Sequence, residues 1–281
     1  MDRLETLLAQ AGRPGAGSPG NDPWRLLEWL DQVDRDLDEA DNSVAARALR
    51  QRREALQAEL DAFYEELRAD LRQGRRAGLD RWLADYRRMA GPEPAEAQGF
   101  DALDDLLAGL LRLPAPATPQ VMLAAEMVAY QPTPARHVLD LLARTAPGAG
   151  DVVVDIGAGL GQVPLLAALC SPARALGIEI EPTLVQGARE AAAGLGLAGR
   201  VRFICEDACA ADLSAGTVFH LYTPLRGALL VALLARLRDQ AARRPLRICG
   251  FGPCVEALAV QDWLRPDGPV RQHRVTVFSA C

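Results

Sequence analysis

The stretch Val152-Val-Val-Asp-Ile-Gly-Ala-Gly-Leu-Gly161, followed by Gly177-Ile-Glu-Ile-Glu181, constrains this chain more than any other feature. Three valines, Asp155 and Ile156 make a short buried strand. Gly157, Gly159 and Gly161 then let the backbone turn sharply and pass close to a ligand, because no Cβ intervenes. Residues 162–169 carry no charge and are mostly apolar, so the loop predicts a helix whose first amides face that ligand. A second strand over 175–178 ends at Glu179, 24 residues after Asp155, near the spacing at which an acid grips ribose hydroxyls. Together the two segments read as a nucleotide-cofactor site in an α/β fold.

The place of Asp155 argues against a dinucleotide. It sits two residues before the first glycine, where it repels phosphate but suits a cationic amino group. That favours S-adenosyl-L-methionine. With Phe203-Ile-Cys-Glu-Asp207-Ala208 as a third segment, the ordered set resembles motifs I to III of the class I, seven-strand methyltransferases over residues 121–281. The resemblance implies a Rossmann-like doubly wound sheet, with Asp155, Gly157, Ala158, Gly159 and Gly161 around the cofactor. It also implies Glu179 on the ribose hydroxyls, Asp207 on the adenine amino group and Ala208 in the adenine pocket. A Rossmann-like domain serving another nucleotide is the competing reading.

Tyr130-Gln-Pro-Thr-Pro134, an amphipathic run over 137–142 and Gly150-Asp-Val-Val-Val-Asp155 are similar to the lead-in to motif I in seven-strand protein lysine methyltransferases. The continuation to Gln162 is similar too. By that resemblance Thr133 contacts the methionine part of the cofactor and Gln162 stands near it. The Asn-rich fourth-strand motif of the histone-type enzymes is absent, however, and the N-terminal half matches nothing in them. Base-methylating enzymes often carry Asn/Asp-Pro-Pro-Tyr/Phe at the fourth strand, whereas this chain has Tyr222-Thr-Pro-Leu225. The acceptor is therefore read as a nitrogen of a protein (lysine) or a small molecule. Tyr222 and Tyr130 are its expected aromatic walls, and Thr223 its hydrogen-bonding group. His220 shares a strand face with Tyr222 and is either a base or a satisfied core histidine, the second reading being favoured. With no evident base at the fourth strand, a non-catalytic S-adenosylmethionine-binding sensor or scaffold is the alternative function.

Charge bears on the acceptor as well. Residues 1–120 hold 16 Arg against 23 Asp plus Glu, a net of −7, while 121–281 hold 15 against 14, a net of +1. A nucleic-acid enzyme usually presents a basic surface, so nucleic acid is demoted as a substrate. All 31 basic residues are arginine. A GC-rich genome explains that most simply; avoidance of self-methylation by a lysine methyltransferase is the sharper alternative. Cys205-x3-Cys209, Cys249-x4-Cys254 and three scattered histidines do not make a metal-site pattern, so no metal is expected and the six thiols are read as buried. No apolar run approaches a membrane span and Met1-Asp-Arg-Leu-Glu lacks a signal-peptide pattern, so a cytoplasmic protein is expected.

Three segments follow from composition and periodicity. Residues 1–20, rich in Gly and Pro, read as a flexible tail after a short helix; 21–115 as a separate all-helical domain; 116–281 as the methyltransferase domain. The helical domain is expected to hold helices over 23–40, 44–73, around 79–86 and over 100–111, with a cap at Asn42-Ser43. The stripe from Leu49 to Leu71 suits either a homodimer interface or a bundle core, the core being favoured. Strands are expected near 151–155, 175–179, 201–205, 217–222 and 246–250, with a terminal hairpin strand over 270–280.

Overall fold

A computed structural model describes residues 23–38, 43–90, 99–115 and 118–281. The expected tail over 1–20 lies outside the described residues. By compactness the chain divides into two units, one of residues up to Arg81 with Asp101–Leu110, the other of Trp82–Phe100 with Leu111–Cys281.

The first unit is helical. Helix α1 (Pro23–Asp38) buries Leu26, Leu30 and Val33, three positions spaced one turn apart. Helix α2 (Val44–Arg72) is capped by Ser43, whose side chain accepts from the Ala46 amide at 3.1 Å. Its stripe of Leu49, Leu56, Leu60 and Leu67 is buried within the single chain, as a bundle core requires; Leu71 at its end is only half-buried. Tyr64 joins that face and meets α4 (Ala102–Leu111) at Gly109, where any Cβ would fall inside its ring. Helix α3 (Ala77–Ala90) links the two units. No helix among the described residues is long and apolar enough to cross a membrane.

The second unit is a seven-stranded sheet in the order β3-β2-β1-β4-β5-β7-β6. Its parallel strands are β1 (Val152–Ile156), β2 (Arg174–Glu179), β3 (Val201–Cys205), β4 (Val218–Tyr222) and β5 (Arg247–Phe251). Helices α5 (Ala135–Thr145), α6 (Gln162–Cys170), α7 (Pro182–Gly194), α8 (Gly227–Ala241) and α9 (Cys254–Ala259) accompany them. All five β1 residues are buried, which is why the strand is a continuous apolar run around one carboxylate. Strands β6 (Leu264–Pro266) and β7 (Thr276–Ala280) close the edge in antiparallel fashion. The order reverses between β1 and β4, so the crevice for a ligand opens there, beyond the strand ends.

Two expectations are corrected. The terminal strand spans only Thr276–Ala280, because the Thr276 hydroxyl accepts from the Arg271 amide and donates to its carbonyl, folding 271–276 into a turn. Its partner β6 has three residues and ends in Pro266, too short for alternation to reveal it. Burial of all six thiols also fails: Cys249 and Cys254 are buried, but Cys205, at the end of edge strand β3, and Cys281 are exposed.

Candidate functional site

A cleft of about 150 Å³ opens at the carboxyl ends of β1 to β4. Of the residues singled out from sequence, Asp155, Gly157, Ala158, Gln162, Glu179, Asp207, Ala208, Thr133, Tyr130 and Tyr222 line it. Gly159 and Gly161, also expected around the cofactor, do not line it: Gly159 lies under the Tyr130 ring and Gly161 against Phe203. Gly161 takes a left-handed conformation (φ +82°), and a Cβ there would strike the Phe203 ring. The Gly157 and Ala158 amides both donate to the Ile178 carbonyl, at 2.9 and 3.0 Å, tying the glycine loop to the end of β2.

Glu179 completes that tie. Its Oε2 accepts from the Gly159 amide at 2.8 Å, and its Oε1 from the Ile180 and Glu181 amides at 2.8 and 2.9 Å. A carboxylate offers about four lone-pair sites, so three are used inside the chain and one on Oε2 is left for a ligand hydroxyl. Asp207 folds back on the Cys209 amide at 2.8 Å while lining the opposite end of the cleft. Asp155 lies at the base of the cleft, its Oδ1 2.7 Å from His220 Nδ1. The favoured reading of His220 as a satisfied core histidine is corrected, because its Nε2 is buried with no hydrogen-bond partner. Strand alternation exposes this position, but only the β1–β4 register, which sets Asp155 opposite His220, reveals the pairing.

Residues 118–134 form a strap along the cleft, and sequence alone does not show how it is held. At one end Glu181 caps α7 through the Thr183 amide, and its Oε2 accepts from the Gln120 and Val121 amides at 2.8 and 2.9 Å. Glu181 is thus engaged by backbone on both sides. Midway along it Met127 bridges to Leu225, and the Glu126 carboxylate accepts from the Ala228 and Leu229 amides at the start of α8. Beyond these anchors Tyr130 lies over Gly159, and its hydroxyl oxygen accepts from the Leu160 backbone amide; burial pushes its phenol up to about 12, so it stays protonated at neutral pH.

The Glu181 carboxyl is held below the usual range, first by the Val121 amide and then by the Thr183 hydroxyl and the other amides it accepts from. With the folded value depressed, the anchor is fully present above the ordinary glutamate value of about 4.3 and is lost only as pH falls below it. Glu181→Ala is expected to remove the hydrogen-exchange protection of the Gln120 and Val121 amides at neutral pH. Unchanged protection would show that the strap is held elsewhere.

Thr223 does not face the cleft. Its hydroxyl donates to the Phe251 carbonyl and accepts from the Cys254 amide, both at 3.1 Å, while its backbone sits at φ +44°. Positive φ in a β-branched residue is strained. Those two bonds hold the strain and turn Tyr222 and Pro224 toward the cleft, Pro224 packing where a Gly157 Cβ would stand 2.8 Å away. The Tyr222 ring packs on Phe251 at 4.5 Å and 41°.

The groups present fit an amino-acid-bearing nucleoside: the Asp155, Glu179 and Asp207 carboxylates line one cleft beside the glycine loop. No family model matches the chain. A ribosomal protein L11 methyltransferase of Edwardsiella ictaluri (strain 93-146) is 39% identical over 80 residues, 28% of this chain and 27% of that protein. The chain thus spans about a quarter of the length of the curated relative it matches. An RNA methyltransferase from Salinibacter ruber, solved with S-adenosyl-L-homocysteine, is 32% identical, covering 53% of this chain and 92% of that one, with a TM-score of 0.43. The C-terminal domain of precorrin-6Y C5,15-methyltransferase from Rhodobacter capsulatus is 22% identical, covering 56% and 94%, with a TM-score of 0.40.

Proposed function

From the premise that the chain carries the class I, S-adenosylmethionine-dependent methyltransferase fold, we propose that it transfers a methyl group to a nitrogen of a protein, as on lysine, or of a small molecule. S-adenosyl-L-methionine is the cofactor. The observation that carries this reading is the convergence of Asp155, Glu179 and Asp207, from the ends of three successive strands, on one cleft beside the glycine loop. In it Asp155 receives the amino group, the free site on Glu179 a ribose hydroxyl, and Asp207 with Ala208 the adenine; Thr133 and Gln162 flank the methionine part. The cofactor supplies an electrophilic methyl group on a sulfonium. The chain supplies position and exclusion of water, the strap covering the site and the β4 end walling the acceptor side.

That wall is apolar and aromatic: Tyr222, Pro224 and Leu225 with Tyr130 from the strap. Ring faces suit an amine or ammonium acceptor. The likeness to the ribosomal protein L11 methyltransferase supports a protein acceptor, and the near-neutral charge of residues 121–281 speaks against nucleic acid. Thr223, with both hydroxyl bonds spent on backbone, serves the site by fixing this wall.

Calorimetric titration with S-adenosylmethionine, S-adenosylhomocysteine and NAD tests the cofactor, and a labelled-methyl screen of cell extract tests the acceptor. Binding of the first two ligands without NAD, and label on protein, is the expected result. Label on RNA would overturn the acceptor class, and binding without any transfer would favour a sensor or scaffold. Asp155→Ala is expected to weaken S-adenosylhomocysteine binding by about tenfold or more, the loss of roughly one charge-assisted contact. Unaltered affinity would remove Asp155 from the site.

A further inference from the structure

One side chain of the cleft has no task in the proposed transfer. His220 and Asp155 are both buried, 1% and 6% exposed at their side chains, and joined at 2.7 Å. His220 Nε2 is buried with no hydrogen-bond partner, although buried polar atoms are nearly always satisfied. Facing an ionised carboxylate, Nδ1 donates, so the neutral ring leaves Nε2 as an acceptor.

Besides Asp155 on β1, the groups around the ring are Cys249 on β5, His137 on α5 and Tyr222 further along β4, and none adds charge to the pair. His137, its ring 4.3 Å from Phe251, is held neutral, its pKa pushed down to about 4, first by burial and then by Arg136. Cys249 stays a thiol, pushed up to about 12 by burial. The base of the cleft therefore presents one net negative charge, held in place by two adjacent strands. Its complement is a compact cation.

We propose that His220 is a positioning residue for the cofactor, holding the Asp155 carboxylate in the orientation that receives the α-ammonium group. This rests on the reading of the cleft as an S-adenosylmethionine site. Loss of the His220 hold then weakens a ligand that bears the ammonium, whereas a ligand without it is spared.

The test uses the full chain, titrated calorimetrically at neutral pH with two probes. S-adenosylhomocysteine carries the ammonium; 5′-methylthioadenosine shares the adenosyl thioether but lacks the amino-acid part. His220→Asn keeps a donor toward Asp155 and should bind S-adenosylhomocysteine within about threefold of wild type. His220→Ala frees the carboxylate and should weaken S-adenosylhomocysteine at least about tenfold while sparing methylthioadenosine. Equal loss of both probes in His220→Ala, or unchanged affinity for both, overturns the proposal and leaves the cofactor assignment standing; failure of the wild type to bind either probe overturns the assignment itself. If the alanine variant does not fold, the asparagine variant decides: a loss of S-adenosylhomocysteine affinity of about tenfold or more in it overturns the proposal.

Discussion

Gly159→Ala is expected to weaken S-adenosylhomocysteine binding by about a hundredfold or more, equivalent to roughly 2.7 kcal/mol, in a protein that remains folded. Gly159 sits at φ +54°, where an L side chain costs about 1–2 kcal/mol. The steric clash matters more. A methyl group there would fall inside the Tyr130 ring, so either the ring leaves the glycine loop or the loop leaves the end of β2. The first choice breaks the bond from the Leu160 amide to the Tyr130 hydroxyl and lifts the strap; the second breaks the bond from the Gly159 amide to Glu179. Either damages the cleft rather than the core, so the circular-dichroism spectrum and melting temperature should change little. Wild-type affinity in calorimetry would mean instead that the loop and strap move apart freely.

Phe219→Ala should be the most destabilising of these substitutions. Phe219 lies in β4, at the centre of the sheet, is fully buried, and packs so closely on Gly216 that a Cβ there would enter its ring. Truncating such a side chain costs about 3–5 kcal/mol, against a total stability of roughly 5–15 kcal/mol for an ordinary domain. For a unit of this size that corresponds to a fall in melting temperature of about 10 °C. Urea denaturation followed by far-ultraviolet circular dichroism measures it, with exposed Phe100→Ala as the neutral control. A loss below about 1 kcal/mol would show that the β4 core repacks around the gap.

The strands that carry the glycine loop and the three acids are legible in the sequence because each signal is local. A buried parallel strand is a short apolar run, and a glycine-rich turn follows it directly. Five parallel strands and the helices over 23–38, 44–72, 77–90 and 102–111 accordingly fall within a few residues of their expected places. What stays hidden is set by contacts distant in sequence. Asp155 and His220 are 65 positions apart, and only strand register pairs them. The Glu181 cap on Thr183 is local, but its hold on the strap is not, because Gln120 and Val121 lie about 60 residues earlier. Thr223 reads as a cleft residue rather than a brace for the same reason: its hydroxyl partners come from the β5–α9 turn. Strand β6 carries too few residues to announce itself.

The conformation of Thr223 has a practical corollary for altering which acceptor the protein takes. Residue 223 is a pivot rather than a contact, so a mutant library that varies 222, 224 and 225 while fixing it samples new cleft walls on an unchanged hinge. Randomising 223 instead would release the hinge, and most clones in such a library would differ in backbone path before they differed in selectivity.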